Sequence, residues 1–342
     1  MYKASFQLHK LNFKEPGGTS RGVLTSKLSY YLSVWNEDEP GIVGTGECSI
    51  LPHLSIDDRP DLENKLSEVC GNINDYTVDL HHSLMDWPAV RFALETALID
   101  LHKGGRNILF PSSFTDGLTS IPINGLIWMG NLDEMSRRIE AKLQDGFSCL
   151  KLKIGALDTD SELSLLRSLR KRFSPETIEL RVDANGAFTP TQAKRILEEL
   201  AKLKIHSIEQ PIRAGHEKEM ATLCANTPVP IALDEELIGI NRPEEKRYLL
   251  ELIKPQYIIL KPSLLGGIKA SEEWIKHAKS LGTGWWVTSA LEANTGLNAI
   301  AQWTATLGNP MPQGLGTGQV FSNNTGSFLV VENGHLHYRQ PV

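Results

Sequence analysis

The first third of the chain alternates apolar and polar residues over long stretches, as strands with one buried face do. This alternation runs from Ala4 to Phe13 and from Lys27 to Trp35, and Gly41 to Cys48 adds a shorter stretch. These stretches predict two long antiparallel strands and a shorter third strand. The polar, glycine-rich segment from Glu15 to Gly22 separates the first two, and we expect it to be a loop without regular structure.

Two helices are predicted to follow these strands, from Pro60 to Cys70 and from Pro88 to Lys103. The second has a proline near its first turn and is followed by Gly104 and Gly105, residues typical of a helix start and a helix end. Strands followed by helices predict an α+β domain over residues 1–115.

From Ser120 onward, short apolar runs that end in polar or charged residues alternate with stretches of helical periodicity. The runs are IPINGLI, CLKLKIG, IELRVDAN, HSIEQP, PIALDEE, QYIILKP and GWWVTSALE. The helical stretches are Leu132 to Asp145, Ser161 to Arg172, Thr191 to Leu203 and Ala270 to Ser280. Seven or eight strand–helix repeats over about 200 residues predict a parallel sheet closed into a (β/α) barrel, which we assign to residues 116–320.

The strand–helix alternation ends after Gly318. Between Phe328 and Tyr338 an Asn-Gly pair separates two short apolar runs, a pattern that predicts a β-hairpin. We expect residues 321–342, with this hairpin, to return to the amino-terminal domain.

The amino-acid composition limits the class of protein to which this chain can belong and the partners that it can bind. Hydrophobic residues make up 41% and charged residues 22%, which is typical of a soluble globular protein. The net charge of -6 provides no basic surface for nucleic acid or anionic lipid. No apolar run has the length typical of a signal peptide or a membrane-spanning helix, so we expect neither secretion nor membrane insertion. The four cysteines are scattered and indicate reduced thiols. We expect a cytoplasmic protein that acts on a small molecule; its oligomeric state is unknown.

Ionisable residues stand at the carboxyl ends of five consecutive predicted barrel strands. They are Lys151, Lys153, Asp183, Glu209, Asp234 and Lys261. From Lys153 to Lys261 the successive intervals run from 25 to 30 residues, about one βα repeat each. These side chains should therefore form one ring at the end of the barrel where such folds place active sites. A single acid after a strand is as easily a helix cap, but five consecutive strands are not explained by capping.

The three acids of this ring predict a metal site. Asp183, Glu209 and Asp234 follow neighbouring strands, and three crowded carboxylates repel one another unless a cation neutralises them. Oxygen ligands favour Mg²⁺, with Mn²⁺ as an alternative, and the absence of histidine and cysteine from the set argues against zinc.

The lysines of the ring predict proton chemistry. Lys151 and Lys153 lie two apart on one strand and face the barrel interior together. A neighbouring cation and the metal should lower the pKa of Lys153 and let it act as a base, although a structural role for Lys151 is also open. With Lys261 on the opposite side, this arrangement suits removal of the α-proton of a metal-bound carboxylate through an enediolate.

The segments KLKIG, RVDANG, IEQP, LDEE and LKPSLLGG resemble the enolase superfamily, specifically its muconate-lactonising-enzyme subgroup with a KxK motif. The resemblance implies an α/β fold, a modified TIM barrel (β/α)7β with an amino-terminal α+β capping domain. It also implies Asp183, Glu209 and Asp234 as metal ligands. Lys153 would be the base and then the acid, and Lys261 would stay charged and stabilise the enediolate.

Within the subgroup, TSRGVLTSK, SALEANTGLNAIAQW and PQGLGTGQVF resemble members that dehydrate 2-succinyl-6-hydroxy-2,4-cyclohexadiene-1-carboxylate to 2-succinylbenzoate in menaquinone biosynthesis. The resemblance implies further residues around the site. Those beside the base and the metal are Lys151, Asn185, Arg181 and Glu235. Those near the substrate's succinyl group are Ser289 and Glu292. Those in the cap loops that close over the substrate are Thr19, Ser20, Arg21, Leu51 and Pro52.

Other activities remain open. An N-succinylamino acid racemase or a cycloisomerase of the same subgroup would use the same ring, because two opposed lysines also suit racemisation. Dipeptide epimerases carry an Asp-x-Asp motif at the last strand, whereas this chain reads GLGTGQ there and lacks the acid for a cationic dipeptide. A non-catalytic barrel that binds metal is a remote alternative.

Overall fold

The computed structural model describes residues 1–19, 22–156 and 158–339. Its amino-terminal domain contains an antiparallel sheet in the order β1 (Tyr2–Thr19), β2 (Gly22–Asn36) and β3 (Glu39–Ser49). One face of this sheet buries apolar side chains such as Leu32 and Val34 against the helices that follow. The three predicted strands are therefore confirmed, and all three are longer than the alternating pattern indicated.

The prediction of an irregular loop from Glu15 to Gly22 was wrong, because β1 continues to Thr19 and β2 begins at Gly22. A register shift between Asn12 and Gly17 absorbs the polar residues within the strand pair. The glycines serve a close approach rather than a loop. A Cβ atom on Gly18 would lie 2.8 Å from the backbone oxygen of Met129, at the start of the barrel domain.

Four helices follow the sheet, of which two were predicted. They are α1 (Leu62–Gly71), α2 (Ile73–Val78), α3 (Leu80–Ser83) and α4 (Pro88–His102). The longest, α4, lies directly against β3. Cβ atoms on Gly44 and Gly46 would lie 2.0 and 1.9 Å from the backbone oxygens of Ala97 and Ala93, so only glycine permits this contact.

The second domain is a sheet of seven parallel strands that alternate with helices. The strands, in spatial as well as chain order, are β5 (Gly125–Ile127), β6 (Cys149–Lys153), β7 (Glu179–Asp183), β8 (Ser207–Glu209), β9 (Ile231–Leu233), β10 (Tyr257–Leu260) and β11 (Gly284–Val287). The helices are α5 (Leu132–Gln144), α6 (Thr159–Arg172), α7 (Pro190–Lys202), α8 (Glu217–Ala225), α9 (Pro243–Ile253), α10 (Pro262–Leu265), α11 (Ile268–Leu281) and α12 (Asn294–Thr306).

A short extended segment closes this sheet into a barrel. Gln313 donates its backbone N–H to Pro122 at 2.8 Å and accepts from Asn124 at 2.9 Å, while Gly314 donates to Val287 at 2.8 Å. The segment thereby joins the last strand to the chain just before the first strand. The predicted (β/α)7β barrel with an amino-terminal cap is confirmed.

The hairpin after the barrel was predicted correctly, but its partner was not. Strands β12 (Leu329–Glu332) and β13 (His335–Tyr338) pair antiparallel, and β13 pairs with β4 (Ser120–Pro122) rather than with the amino-terminal sheet. This pairing buries Leu336 and Tyr338 against the barrel core. The residues before the hairpin do contact the cap, since Ser322 donates its N–H to the oxygen of Asn12 in β1.

The cap and the barrel are joined by buried ionic side chains on α4. Arg91 Nε donates to the backbone oxygen of Gly266 at 2.6 Å. Glu95 accepts from the backbone N–H groups of Ile268 at 2.6 Å and Lys269 at 3.0 Å, at the start of α11. This arrangement fixes the cap over the carboxyl end of the barrel. In the part of the chain that the structure describes, no helix is long and apolar enough to cross a membrane.

Candidate active site

The six ionisable residues predicted to meet at the barrel mouth do meet there; we call them the ionisable ring. Strand register brings Lys153 beside Asp183 and Asp183 beside Glu209, because β6, β7 and β8 are parallel neighbours. Asp234 and Lys261 directly follow β9 and β10. All six side chains are buried.

Lysine ammonium groups contact the carboxylates of the ionisable ring from two sides. Lys153 Nζ donates to Asp183 Oδ2 at 2.6 Å, and Lys151 Nζ lies 2.9 Å from the same oxygen while also contacting Glu209 Oε2. On the other side, Lys261 Nζ contacts Asp234 Oδ2 and lies 3.9 Å from Glu209 Oε1. The lysines of β6 and the lysine after β10 therefore stand on opposite sides of the acids.

Of the three acids, Glu209 is the one whose ionised form is stabilised least by its surroundings. Burial raises its pKa well above the ordinary value, and the neighbouring charges of Asp183 and Asp234 raise it further. Its carboxyl group lies within hydrogen-bonding reach of both aspartates. Neither of its oxygens accepts a well-directed hydrogen bond from a donor among the described residues. Burial likewise disfavours ionised Asp183, but Lys151 and Lys153 outweigh it and lower the pKa of that carboxyl.

This donor set has the chemistry that a divalent cation needs. Three adjacent carboxylates, one of them with unsatisfied oxygens, match the oxygen ligands that Mg²⁺ takes. Across residues 1–19, 22–156 and 158–339, no three histidine, cysteine or acidic side chains are placed so that they could hold a metal ion without moving. Lys151 and Lys261 lie against the carboxylate oxygens instead. The residues fit a cation by type and neighbourhood, and metal binding would displace these lysine contacts.

Two lysines of the ionisable ring keep their charge. Burial lowers the pKa of Lys261, but the attraction of Asp234 and Glu209 is larger and leaves the pKa raised. Lys151 follows the same pattern, because Asp183 and Glu209 outweigh burial and raise its pKa. Both side chains are therefore cations at neutral pH. The expected activation of Lys153 as a base stays a prediction.

Asn185 links Lys153 to the adjacent loop. Its Oδ1 accepts from Lys153 Nζ at 2.7 Å, and its Nδ2 donates to Glu235 Oε1 at 2.9 Å. Its backbone, at a φ of 44°, donates N–H to Asp183 Oδ1 at 3.0 Å. Asn185 and Glu235 thus lie where the sequence predicted supporting residues, beside the base and the acids.

Arg181 does not contact the three acids through any hydrogen bond that the structure describes. Its Nε donates to Glu179 Oε1 at 2.6 Å and its Nη1 to the oxygen of Pro312 at 2.9 Å. The guanidinium stacks over the ring of Trp286 at 4.4 Å. It lies two residues before Asp183 on the same strand, so it supports the barrel wall below the ionisable ring.

A cavity of about 560 Å³ opens above the ionisable ring, between the cap and the barrel. Leu51 and Pro52 of the cap line it, as predicted, together with Lys153, Lys261 and Ser289 of the barrel. Cap residues thus form one wall of the cavity, and Lys153 and Lys261 lie in another.

Glu292 is not among the described residues that line this cavity, and its predicted place beside the substrate stays a prediction. Its carboxylate accepts from the backbone N–H of Ala290 at 2.9 Å and contacts the hydroxyl of Ser263. A turn at Leu291 directs it back into the protein, where it is fully buried.

The cap loop was expected to contribute Thr19, Ser20 and Arg21. Ser20 and Arg21 lie outside the described residues, and only the backbone of Thr19 is described, as the end of β1. Gly22 and Val23, which follow, line the cavity. Substrate contacts by the three predicted residues stay a prediction.

Several residues that belong to the site carried no recognised signal. Asn124 and Thr288 line the cavity, and Asn124 Oδ1 and Thr288 Oγ1 have no hydrogen-bond partner among the described residues. Gln210, at a φ of 39°, accepts the backbone N–H of Asp234 at 3.1 Å and donates to Glu236 at 2.9 Å. The amide directly after the acid of IEQP was a usable signal for Gln210, whereas Asn124 and Thr288 had none.

Comparison with known proteins agrees with this geometry. The chain is 48% identical to the o-succinylbenzoate synthase of Desulfotalea psychrophila, across 97% of this chain and 98% of that protein. The crystal structure of MenC from Desulfotalea psychrophila LSv54 superposes with a TM-score of 0.87 at 44% identity, covering 98% of this chain and 99% of that one.

More distant structures share the fold. The substrate-liganded L-Ala-D/L-Glu epimerase of Bacillus subtilis superposes with a TM-score of 0.83 at 20% identity, covering 98% of this chain and 95% of that chain. The family model described as enolase C-terminal domain-like matches residues 134–341, more than half of the chain. The chain therefore belongs to the enolase C-terminal domain-like family.

Proposed function

We propose that the protein is a metal-dependent carbon–oxygen lyase that dehydrates 2-succinyl-6-hydroxy-2,4-cyclohexadiene-1-carboxylate to 2-succinylbenzoate, a step of menaquinone biosynthesis. The observation that supports this most directly is the ionisable ring, in which lysines flank three buried carboxylates from two sides. Similarity to an o-succinylbenzoate synthase over nearly the full length of both proteins supports the substrate.

Lys153 is the proton-transfer residue in this proposal. Its Nζ is held at the cavity wall by Asp183 Oδ2 and Asn185 Oδ1. As the neutral amine it takes the α-proton of the substrate carboxylate, and the C–H electrons pass into an enediolate. The carbon–oxygen bond to the ring hydroxyl then breaks, Lys153 returns the proton to the departing oxygen, and water and an aromatic ring result.

Lys261 acts through its charge. As an ammonium on the opposite side of the cavity from Lys153, it stabilises the negative charge that develops on the substrate. A divalent cation held by Asp183, Glu209 and Asp234, as in other members of the superfamily, would supply further positive charge for the substrate carboxylate. The cap wall at Leu51 excludes water from these groups.

Turnover of the proposed substrate in the presence of Mg²⁺ tests the proposal. We expect the purified chain to convert it to 2-succinylbenzoate, and chromatography of the product measures this conversion. Lys153→Ala should lower kcat by at least about 1000-fold, because both proton transfers lose their donor and acceptor. Lys202→Ala, a change at an exposed helix position, is the matched control and should leave kcat unchanged.

The test also separates the alternative activities. An N-succinylamino acid racemase would exchange the α-proton of N-succinylamino acids with solvent deuterium faster than it dehydrated the cyclohexadiene. The opposed lysines permit that reaction, but the N-succinylamino acid racemase of Thermus thermophilus is 31% identical over only 48% of this chain, against 48% identity over 97% for the o-succinylbenzoate synthase. Deuterium exchange without any dehydration would overturn the proposed substrate, and a chain inert in both assays would overturn the enzyme.

A further inference from the structure

Lys27 is a buried cation in the cap, outside the ionisable ring. It lies on β2 and is only 2% exposed. Its Nζ donates to the backbone oxygen of Leu291 in the barrel at 2.8 Å and contacts the hydroxyl of Ser49 in β3. A buried ammonium is unfavourable unless hydrogen bonds and counter-charges compensate it, so a lysine at this position indicates a specific contact. That contact is with the loop between β11 and α12.

Glu47 of β3 holds the same loop from a second point. Its carboxylate accepts the backbone N–H groups of Ala293 and Gly296, each at 2.8 Å, at the first turn of α12. The helix has no capping side chain of its own at Ala293, so the cap domain supplies the cap. Gly296 permits the approach, because a Cβ atom there would lie 2.9 Å from Glu47 Oε2.

The loop gripped in this way forms part of the cavity wall. Thr288, Ser289, Ala290 and Leu291 all line the cavity above the ionisable ring. Leu291 has a φ of 60°, a left-handed conformation that a leucine adopts only when its surroundings impose it. Its carbonyl is the group that Lys27 binds, so the contact from the cap falls on the strained residue.

We propose that Lys27 and Glu47 are positioning residues that hold the Thr288–Leu291 wall in its substrate-binding shape. Neither residue lines the cavity, and both act through the loop. The docked cap therefore sets the shape of a barrel loop that faces the substrate. This role is additional to covering the substrate. This inference rests on the proposed function, because it assigns the cavity to the substrate.

The central test replaces Lys27 by methionine, which keeps most of the side-chain volume and removes the donor. We expect Lys27→Met to raise KM about tenfold or more while kcat changes less than about threefold, because the reacting lysines are untouched. Glu47→Ala should act in the same direction, and Glu47→Gln, which retains one acceptor oxygen, should recover part of the loss. A residue with a merely structural role would lower the melting temperature without this separation of KM from kcat.

Lys246→Met is the matched control. Lys246 is also fully buried and also binds a backbone oxygen, that of Ala270 at 3.0 Å, but Ala270, unlike Leu291, does not line the cavity. Its replacement should lower stability and leave KM unchanged. A double-mutant cycle with Ser289→Ala should give non-additive effects on KM for Lys27→Met, since both changes act on one wall, and additive effects for Lys246→Met.

Hydrogen exchange provides a readout that does not depend on turnover. Peptides covering residues 288–296 should exchange their amide hydrogens faster in Lys27→Met and Glu47→Ala than in the parent protein. In Lys246→Met their exchange rates should equal those of the parent protein. Unchanged exchange, or a KM within twofold of the parent value, would overturn the positioning role. A protein that lacks the proposed activity but shows the exchange difference would overturn the proposed function and leave the structural contact intact.

Discussion

The chain contains two groups of buried charges that are stabilised in opposite ways. In the ionisable ring, charges face other charges, and Glu209 in its centre lies between two further carboxylates. At the contact between cap and barrel, charges face the backbone: Arg91 binds carbonyl oxygens, while Glu95 and Glu47 bind N–H groups at the first turns of α11 and α12. The first group leaves hydrogen-bonding capacity unused, and the second uses most of it.

This difference separates reactivity from attachment. A carboxylate that accepts backbone N–H groups at a helix start is satisfied by the fold alone. A carboxylate crowded by others is satisfied only when something else binds, and that requirement is characteristic of a functional site. Replacing a carboxylate by its neutral amide should therefore change the free energy of unfolding in opposite directions in the two groups.

The largest expected effect is that of Glu209→Gln in the ionisable ring. We expect turnover to fall by at least about 1000-fold, because one of the three acids that fit the cation loses its charge. Without added divalent cation, the free energy of unfolding should stay equal or rise, because repulsion from Asp183 and Asp234 is relieved. Steady-state kinetics and chemical denaturation measure the two quantities.

Glu47→Gln is the matched exchange at the cap contact. There the amide must place an N–H₂ group toward backbone donors, so the free energy of unfolding should fall by about 1–2 kcal/mol. If Glu209→Gln destabilised the protein more than Glu47→Gln did, the distinction between the two groups of charges would be wrong.

The next effect concerns attachment alone. Arg91→Met removes a side chain that donates to the oxygens of Gly266, Leu265 and His81. We expect the free energy of unfolding to fall by about 2–4 kcal/mol, because buried carbonyl groups lose their donors. Arg247→Met, which breaks only an exposed pair with Glu251, should change it by less than about 0.5 kcal/mol. A drop no larger than that of the control would contradict the role of Arg91.

The barrel and the ionisable ring could be predicted from the sequence because both follow from a repeat. Each strand of a parallel barrel ends at the same rim, so Asp183, Glu209 and Asp234 meet whenever the strands are found. Spacing along the chain was enough for this inference. The type of side chain then restricted the chemistry.

The remaining features depend on contacts between distant segments, which spacing does not encode. The partner of the final hairpin was missed because β4 and β13 are far apart in the chain. The strand pair at Gly17 and Gly18 was read as a loop because glycines that allow close approach look like glycines that allow turns. In the sequence, Lys27 looks like any polar residue of an alternating strand. None of its neighbours in the sequence indicates that its partner is the distant Leu291.

The smallest expected effect is a dependence of stability on pH that arises from Glu95. Burial raises the pKa of this carboxyl to about 7, although the N–H groups of Ile268 and Lys269 and the charge of Arg91 oppose the shift. In the unfolded chain its pKa is the ordinary value for glutamate. The folded state therefore holds a proton that the unfolded state has released between about pH 4.5 and 7, and stability falls as pH rises through this range.

Glu95→Gln should abolish that part of the dependence. At pH 4.5 the variant should be the less stable protein, because the amide places an N–H₂ group toward the backbone donors, as at Glu47. That deficit should shrink by about 1–3 kcal/mol as the pH rises to 7 and above, where the parent must bury a charge. Asp57, whose pKa burial raises to about 6, contributes with the same sign in both proteins, so it cancels in the difference between them. Denaturation at several pH values gives this difference directly. A difference that stays flat with pH would show that the N–H groups at the start of α11 stabilise the Glu95 charge fully, and the two groups of charges would then contrast even more sharply.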